Sequence, residues 1–187
     1  MAADYLVSSL QPLALDGPPP YTAEQFLGLC RSQLTEADMD AIKALLAFES
    51  ASTSVLSDVL LGHRILARWC DLAAQIRNAI AAERARLHGQ DAARWRRPVE
   101  GCSLFWTNRA AAAFQEKDPA RRERLLDQVQ WDAAGELTPP ASPLSVAAVF
   151  TYAIRLAIVL RRDVRDATAG NAVFNRLTAA TKIEFKE

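Results

Sequence analysis

The sequence is poor in the residues from which metal and redox sites are built. Its 187 residues include only three cysteines and two histidines. Cys30, Cys70 and Cys102 are widely spaced, so no CxxC pair exists for a zinc site or a redox motif. His63 and His88 have no partner at ligand spacing, and HExxH is missing. We therefore predict no bound metal, no cofactor, and three buried thiols in a reducing compartment.

The motifs that hold phosphates or activate a nucleophile are also missing. No GxxxxGK[ST] or GxGxxG loop is present to cradle a phosphate, and no GxSxG supplies a nucleophile elbow. Acid pairs such as Asp38 and Asp40 fall in amphipathic segments, where a solvated helix face explains them without an active site. The sequence therefore offers no catalytic residue, and we predict that the protein is not an enzyme.

A net charge is missing as well. The 22 lysines and arginines balance the 22 aspartates and glutamates, so no field of the whole molecule attracts nucleic acid or lipid. The balance hides an uneven division. Residues 1–60 hold eight acids and two bases, whereas residues 61–109 hold nine bases and four acids. Two interpretations stay open: two solvated surfaces of opposite sign, or an interaction face.

The chain lacks both a signal-peptide pattern and an uninterrupted apolar span. An acid, Asp4, stands near the start, and no basic segment precedes a long apolar run. The most apolar segment, residues 144–166, is interrupted by Arg155 and closed by charged residues from Arg161 onward. These charges argue against a membrane-spanning helix. We expect a cytoplasmic protein.

What the sequence does contain is a hydrophobic period near 3.6 in every long segment. This period predicts an all-α, single-domain helical bundle with two long central helices, at about 64–88 and 144–166. We expect these two helices to be each other's main packing partner. Trp69 and Ile154 are predicted to fill the core. The polar residues of the first helix lie elsewhere on its wheel: Arg64, Arg68, Asp71, Gln75 and Arg84.

The domain is predicted to span residues 1–187, with an N-terminal strap at 1–21 and the bundle at 22–187. The division rests on Asp16 and the three prolines that follow Gly17, because proline fixes φ and disfavours helix at the residue before it. Residues 5–10 are interpreted as either a strand or an early helix.

Helix ends are marked by local signals. N-cap residues are predicted at Thr22, Thr35, Asp118 and Ser142, the last two followed by proline at the first helical position. Gly89 is predicted to end the 64–88 helix. Other helices are predicted at about 53–62, 104–115 and 170–177. In the helix after Asp118, the inward positions are predicted to be Leu125, Leu126, Val129 and Trp131, with Arg121, Arg122 and Arg124 outward.

Arg155 is the most unusual charge, because it stands in the most apolar helix. On a helical wheel it falls in a narrow stripe with Ala148, Thr151, Arg162 and Asp166. One interpretation is that its stem packs while its head reaches solvent or pairs with a carboxylate. The other is a role in binding a partner.

A basic cluster surrounds one aromatic residue at Arg94, Trp95, Arg96 and Arg97. Nucleic-acid-binding proteins use such clusters, with cations on phosphates and rings stacked on bases. A solvated turn or a protein contact explains the same residues, and the chain carries no net positive charge in support of nucleic acid. These four residues are our candidate partner-binding site.

Six short stretches, taken in order, form a further pattern. They are YLVSSLQPL at 5–13, IRN at 76–78, ERARL at 83–87, LLD at 125–127, WD at 131–132 and YAIRL at 152–156. Together they resemble a bacterial family of unnamed function that is encoded among the subunits of V/A-type ATPases. The chain departs from the family pattern at Arg155, where a lysine is expected.

Members of this family resemble shortened forms of the ATPase C subunit, the all-helical socket that joins the central rotor stalk to the membrane ring. The resemblance implies a non-catalytic, C-subunit-like component of a V/A-type rotary ATPase, which links the stalk and the ring or helps to assemble them. The implied partners are stalk or membrane-ring subunits, with no nucleic acid. The implied location is cytoplasmic, peripheral to the inner membrane through the complex.

Two other function classes stay open. A small-molecule-binding or catalytic bundle would need a polar pocket beside Arg155. A nucleic-acid adaptor would use the cluster from Arg94 to Arg97.

Overall fold

A computed structural model describes residues 3–47, 64–99, 101, 103–163 and 176. Within these ranges the chain forms seven α-helices and no strand: α1 (Asp4–Ser9), α2 (Ala23–Cys30), α3 (Glu36–Leu46), α4 (Arg64–Leu87), α5 (Leu104–Ala112), α6 (Pro119–Gly135) and α7 (Val146–Asp163). Short 3-10 turns lie at Ala92–Trp95 and Ala113–Gln115. The all-α prediction is confirmed. The helix predicted at 53–62 lies outside the described residues, as does the helix predicted at 170–177 except for residue 176.

Three of the four predicted N-caps are confirmed. The Thr22 side chain accepts a hydrogen bond from the Gln25 amide, and the Gln25 side chain accepts one from the Thr22 amide, which completes a capping box. Thr35 caps α3, and Asp118 caps α6 with Pro119 at its first position. Each of these helices therefore begins where its own sequence directs.

Gly89 ends α4 as predicted. Its φ of 62° lies in the left-handed region that favours glycine. The Gln90 amide donates to the Ala85 carbonyl and the Gly89 amide donates to the Arg86 carbonyl, at 2.8 and 3.3 Å. These two bonds form a Schellman motif, which satisfies carbonyls at the helix end.

The predicted start of α7 is wrong. Ser142 and Pro143 do not cap the helix, which begins at Val146. The Ser145 amide instead donates to the Ser142 carbonyl in a turn, and the Leu144 carbonyl accepts a bond from the Ala3 amide at 3.3 Å. In the predicted helix the Leu144 carbonyl would accept a hydrogen bond from within the helix. In the structure it accepts one from the N-terminal segment instead.

α7 lies at the centre of the bundle, and the predicted packing partner is wrong. It packs mainly against α3 and α6, with α1 as a smaller neighbour, whereas α4 packs mainly against α5. Ile42 and Leu45 of α3 are fully buried, as are Phe150 and Leu156 of α7. Hydrophobic period identifies a buried face, but it does not say which helix covers that face.

Several predicted faces are confirmed and others are corrected. Trp69 and Ile154 are both buried, as are Leu126 and Val129 of α6. The inward position predicted for Leu125 is wrong, since its side chain is 45% exposed. Among the described cysteines, Cys30 is buried and Cys70 is only partly buried, while Cys102 lies outside the described residues.

Three polar side chains that the sequence did not mark as core are buried: Gln75, Asp127 and Thr151. Gln75 accepts a 2.6 Å hydrogen bond from the Ser103 amide and so fixes the start of α5 against α4. Asp127 of α6 is 3% exposed and pairs with Arg161 of α7, while the Arg162 guanidinium lies 4.0 Å away. Removing one partner of such a buried pair costs about 3–5 kcal/mol, because the other charge is left in the interior.

Residues 10–22 form no α-helix or strand. Hydrogen bonds join this segment, here called the strap, to Arg124 of α6 and to Tyr152 and Arg162 of α7. The division predicted after residue 21 stays a prediction, and residues 4–9 of the predicted strap form α1. The Tyr152 hydroxyl donates to the Gln11 carbonyl at 2.9 Å, and the Tyr21 hydroxyl accepts from the Gln11 amide at 3.0 Å. Burial, together with Tyr21, raises the pKa of Tyr152 to about 12, so its hydroxyl keeps the proton that it donates.

Further along the strap, Asp16 binds to both α6 and α7. Its carboxylate accepts a 3.0 Å hydrogen bond from Arg124 of α6 and a 3.1 Å bond from Arg162 of α7. The hydrogen bond from Arg124 lowers the pKa of Asp16, and Arg162 lowers it further. The carboxylate therefore keeps its charge, and the strap its attachment, at pH values where an isolated aspartate would be protonated.

None of the helices in the described ranges combines the length and the apolar character needed to cross a membrane.

We predict that Trp69→Ala and Ile154→Ala each lower the free energy of unfolding by about 2–5 kcal/mol, since each leaves a cavity in a packed core. Urea denaturation followed by circular dichroism measures this change. Leu104→Ala is the control, because that side chain is 69% exposed and should change stability by less than about 0.5 kcal/mol. A loss below that value at both core positions would contradict the assigned core.

Candidate protein-docking surface

The basic cluster predicted from sequence lies on the surface, directly after α4. Asp91 starts the 3-10 turn Ala92–Trp95 by accepting a hydrogen bond from the Ala93 amide. All four residues of the cluster, Arg94 to Arg97, are exposed, and Trp95 keeps 45% of its surface in solvent. The Arg94 guanidinium carbon lies 5.9 Å from the centroid of the Trp95 ring, within range of a cation–π contact.

The backbone of this cluster is held in place by one side chain of α4. The Asn78 amide group donates to the Arg97 carbonyl, and its oxygen accepts from the Arg97 amide, both at 2.9 Å. One turn earlier on α4, Gln75 binds the Ser103 amide. Arg97 and Ser103 are therefore bonded to side chains on successive turns of α4. Gly101 has a φ of 74°. The cluster is a fixed surface feature.

The three arginines of the cluster make no ion pair within the described part of the chain. The arginines of α6 behave differently. Arg124 pairs with Asp16, Arg121 lies 3.6 Å from Asp118, and Arg122 lies over the Phe114 ring at 5.4 Å. The α6 arginines are thus used for internal contacts, whereas the charges of Arg94, Arg96 and Arg97 face solvent.

Trp95 stands at the edge of a groove of about 440 Å³ between α4 and α6. Apolar side chains of both helices line its floor: Ile80, Ala81, Ala85 and Leu126. Arg84 of α4 approaches Glu123 of α6 across the groove at 3.6 Å. The groove therefore combines an apolar floor with charged walls.

Positive charge extends from the cluster into this groove. Arg77 lies on the groove wall, and burial lowers the pKa of its guanidinium. The positive charge of Arg97 lowers that pKa further, which places the two cations close together.

Arg155 lies elsewhere. No carboxylate of the described residues forms an ion pair with its head, and its role in binding a partner stays a prediction. Its guanidinium carbon is 4.9 Å from the Trp131 ring centroid, and Nε donates to the Trp131 carbonyl at 3.1 Å. The last turn of α6 has no basic residue of its own. Arg155 therefore brings to the negative end of α6 the cation that the helix lacks.

Metal binding and thiol chemistry find little support in the described residues. No group of three or more His, Cys, Asp or Glu side chains within them could hold a metal ion. His88 is exposed beside the groove, while His63 lies outside the described ranges. Burial raises the pKa of Cys30 to about 11, which keeps that thiol protonated and unreactive. The absence of a metal and of catalysis stays a prediction.

The sequence predicts the arginine cluster but does not predict the hydrogen bonds between Asn78 and the Arg97 backbone. Asn78 belongs to one of the stretches that carry the family resemblance, and no sequence signal links it to a residue nineteen positions later. The groove was missed for a related reason, since its two walls come from helices far apart in the chain.

We predict that Asn78→Ala makes the backbone of the arginine cluster more mobile. The loss of two hydrogen bonds, each contributing about 0.5–1.5 kcal/mol, should raise the rate of local opening about tenfold. Limited trypsin digestion, followed by mass spectrometry, should show faster cleavage after Arg94 and Arg96. The control is Asn108→Ala, an exposed asparagine of α5, which should leave that rate unchanged. Equal cleavage of the wild-type protein and Asn78→Ala would contradict the role assigned to Asn78.

No protein-family model matches the chain, and searches among curated proteins and solved structures return no significant match.

Proposed function

We propose that this protein is a non-catalytic docking component, and that its docking surface is the cluster Arg94–Trp95–Arg96–Arg97 with the adjoining groove. The observation that carries the proposal is the state of the three arginines. They are exposed, free of internal ion pairs in the described chain, and set on a backbone fixed by Asn78. The fixed backbone at Arg97 lowers the backbone entropy lost when a partner binds, while the arginine side chains are ordered by the partner itself.

The composition of the surface suits a protein partner. Tryptophan and arginine are enriched among the residues that dominate binding energy at protein interfaces. Trp95 and the apolar floor can take an apolar anchor, and the arginines around them can take carboxylates in bidentate contacts. The occupant we propose is therefore an acidic amphipathic helix, which carries an apolar stripe flanked by Asp and Glu.

The sequence resemblance supplies the class of partner. On that interpretation the protein is a C-subunit-like component of a V/A-type rotary ATPase, which links the central stalk and the membrane ring or helps to assemble them. A part in that position needs rigid helices and a fixed docking surface. Helices that are capped by their own residues, and a strap that Asp16 ties to α6 and α7, support this interpretation.

A nucleic-acid partner is less well supported by the same surface. The chain as a whole carries no net positive charge to add a sequence-independent attraction.

We predict that the protein is recovered from native membranes together with stalk or membrane-ring subunits of a rotary ATPase. The triple change Arg94→Glu, Arg96→Glu and Arg97→Glu should weaken this association at least tenfold. The association should also weaken as salt approaches 1 M, where the Debye length is about 3 Å. Affinity capture, with the recovered subunits identified by mass spectrometry and quantified at several salt concentrations, is the measurement.

The matched control reverses Arg31, Arg64 and Arg68, three exposed arginines outside the cluster and the groove, and makes the same change in net charge. It should leave the association nearly unchanged. Reversal of Arg121, Arg122 and Arg124 should act mainly on stability, because those residues make internal contacts. Equal loss from the cluster and the control would rule out this docking surface, and recovery of RNA in place of ATPase subunits would favour the nucleic-acid alternative.

A further inference from the structure

A second groove, of about 430 Å³, lies between the N-terminal segment and α7, and Arg155 lines it. Val7, Leu10 and Leu13 form one wall, and Ala148 and Tyr152 of α7 face them. The groove lies within the size range of small-molecule sites, which are lined mostly by apolar side chains with a few polar groups. It shares no lining residue with the groove beside Trp95.

The Arg155 guanidinium has hydrogen-bonding capacity to spare in this groove. Nε is used by the Trp131 carbonyl, and no carboxylate of the described residues pairs with the two terminal amino groups. The acid that acts on Arg155 from nearby is Asp132, whose two oxygens accept bonds from Arg109 at 2.9 Å and Gln128 at 2.8 Å. An anion that entered the groove would therefore meet terminal amino groups that no carboxylate of the described residues pairs with, while Asp132 acts on their charge only from a distance.

The backbone leaves room for this cation. A Cβ atom at residue 135 would lie 2.9 Å from a terminal nitrogen of Arg155, so only glycine allows the guanidinium its position there. Burial lowers the pKa of Arg155 because water solvates its charge poorly. A bound anion would replace part of that lost solvation.

The hydroxyl groups of the groove donate to the protein itself. Thr151 donates to the Ala134 carbonyl at 3.2 Å, so the 2.8 Å contact between the hydroxyls of Thr138 and Thr151 requires Thr138 to be the donor. Tyr152 donates to the Gln11 carbonyl. Arg155 is thus the charged donor for a ligand, the side-chain amide of Gln11 is a neutral one, and the rest of the wall is largely apolar. This pattern suits one carboxylate on a hydrocarbon chain, and it suits a sugar or a polyphosphate poorly.

We propose that this groove binds an aliphatic monocarboxylate. The carboxylate lies against the terminal amino groups of Arg155, and the hydrocarbon chain lies along Val7, Leu10 and Leu13. The site is independent of the docking surface, so either can fail without the other.

Isothermal titration calorimetry of the full chain with octanoate, hexanoate and octanamide tests the proposal. Octanoate should bind, hexanoate should bind more weakly because it buries less hydrocarbon, and octanamide should bind at least tenfold more weakly because it lacks the charge. Binding of octanoate should also disappear as the pH falls through the pKa of its carboxyl group. Octanamide binding as tightly as octanoate, or no octanoate binding up to its solubility limit, would overturn the proposal.

Two variants locate the site. Arg155→Gln should weaken octanoate binding at least tenfold, and Gly135→Ala should weaken it by displacing the guanidinium while leaving the charge in the chain. The matched control is Arg122→Gln, since Arg122 also lies over an aromatic ring but does not line this groove. Unchanged binding in Arg155→Gln would overturn the proposal. If that variant does not fold, the comparison of octanoate with octanamide on the wild-type protein still decides.

Discussion

The burial of α7 is the constraint on which the rest of this structure depends. Its eighteen residues include apolar side chains on most of its circumference, and nine of them are buried. One neighbouring helix cannot cover such a surface, so α3, α6 and α1 all pack against it. The strap adds a further cover, tied to α7 by Tyr152 and by Arg162. The positions of α1, α3, α6 and the strap follow from the need to cover the apolar surface of α7.

The charged residues around α7 make this burial possible. Arg161 pairs with the buried Asp127, Arg162 reaches Asp16 on the strap, and Arg155 lies on the end of α6. Each interaction joins two elements that are distant in sequence, so each helps to select one arrangement of the helices. Buried ion pairs add little net stability compared with apolar residues of the same size, but an unsatisfied charge would be costly in any other arrangement.

The proposed functions rest on arginine groups that the fold leaves without a carboxylate of the described residues, including the terminal amino groups of Arg155. Arg94, Arg96 and Arg97 are exposed on a fixed backbone beside an apolar groove, which suits an acidic protein partner. The terminal amino groups of Arg155 face a second groove whose hydroxyl protons are donated to the protein. Whether an arginine supports the fold or meets a ligand is decided by the groups around it, and residue type alone does not show this.

The sequence by itself determined the local features: the all-α class, the capping of α2, α3 and α6, the end of α4 at Gly89, and the buried faces marked by Trp69 and Ile154. These features depend on contacts within one or two helical turns, where residue type and spacing determine which hydrogen bonds form and which face is apolar. Tertiary structure alone decided that α3, and not α4, covers α7, that α7 begins at Val146, and that Gln75 and Asp127 lie inside. It also decided that Asn78 holds the arginine cluster and that Arg155 lines a groove. Each of these depends on a partner from a distant part of the chain, and hydrophobic period does not identify that partner.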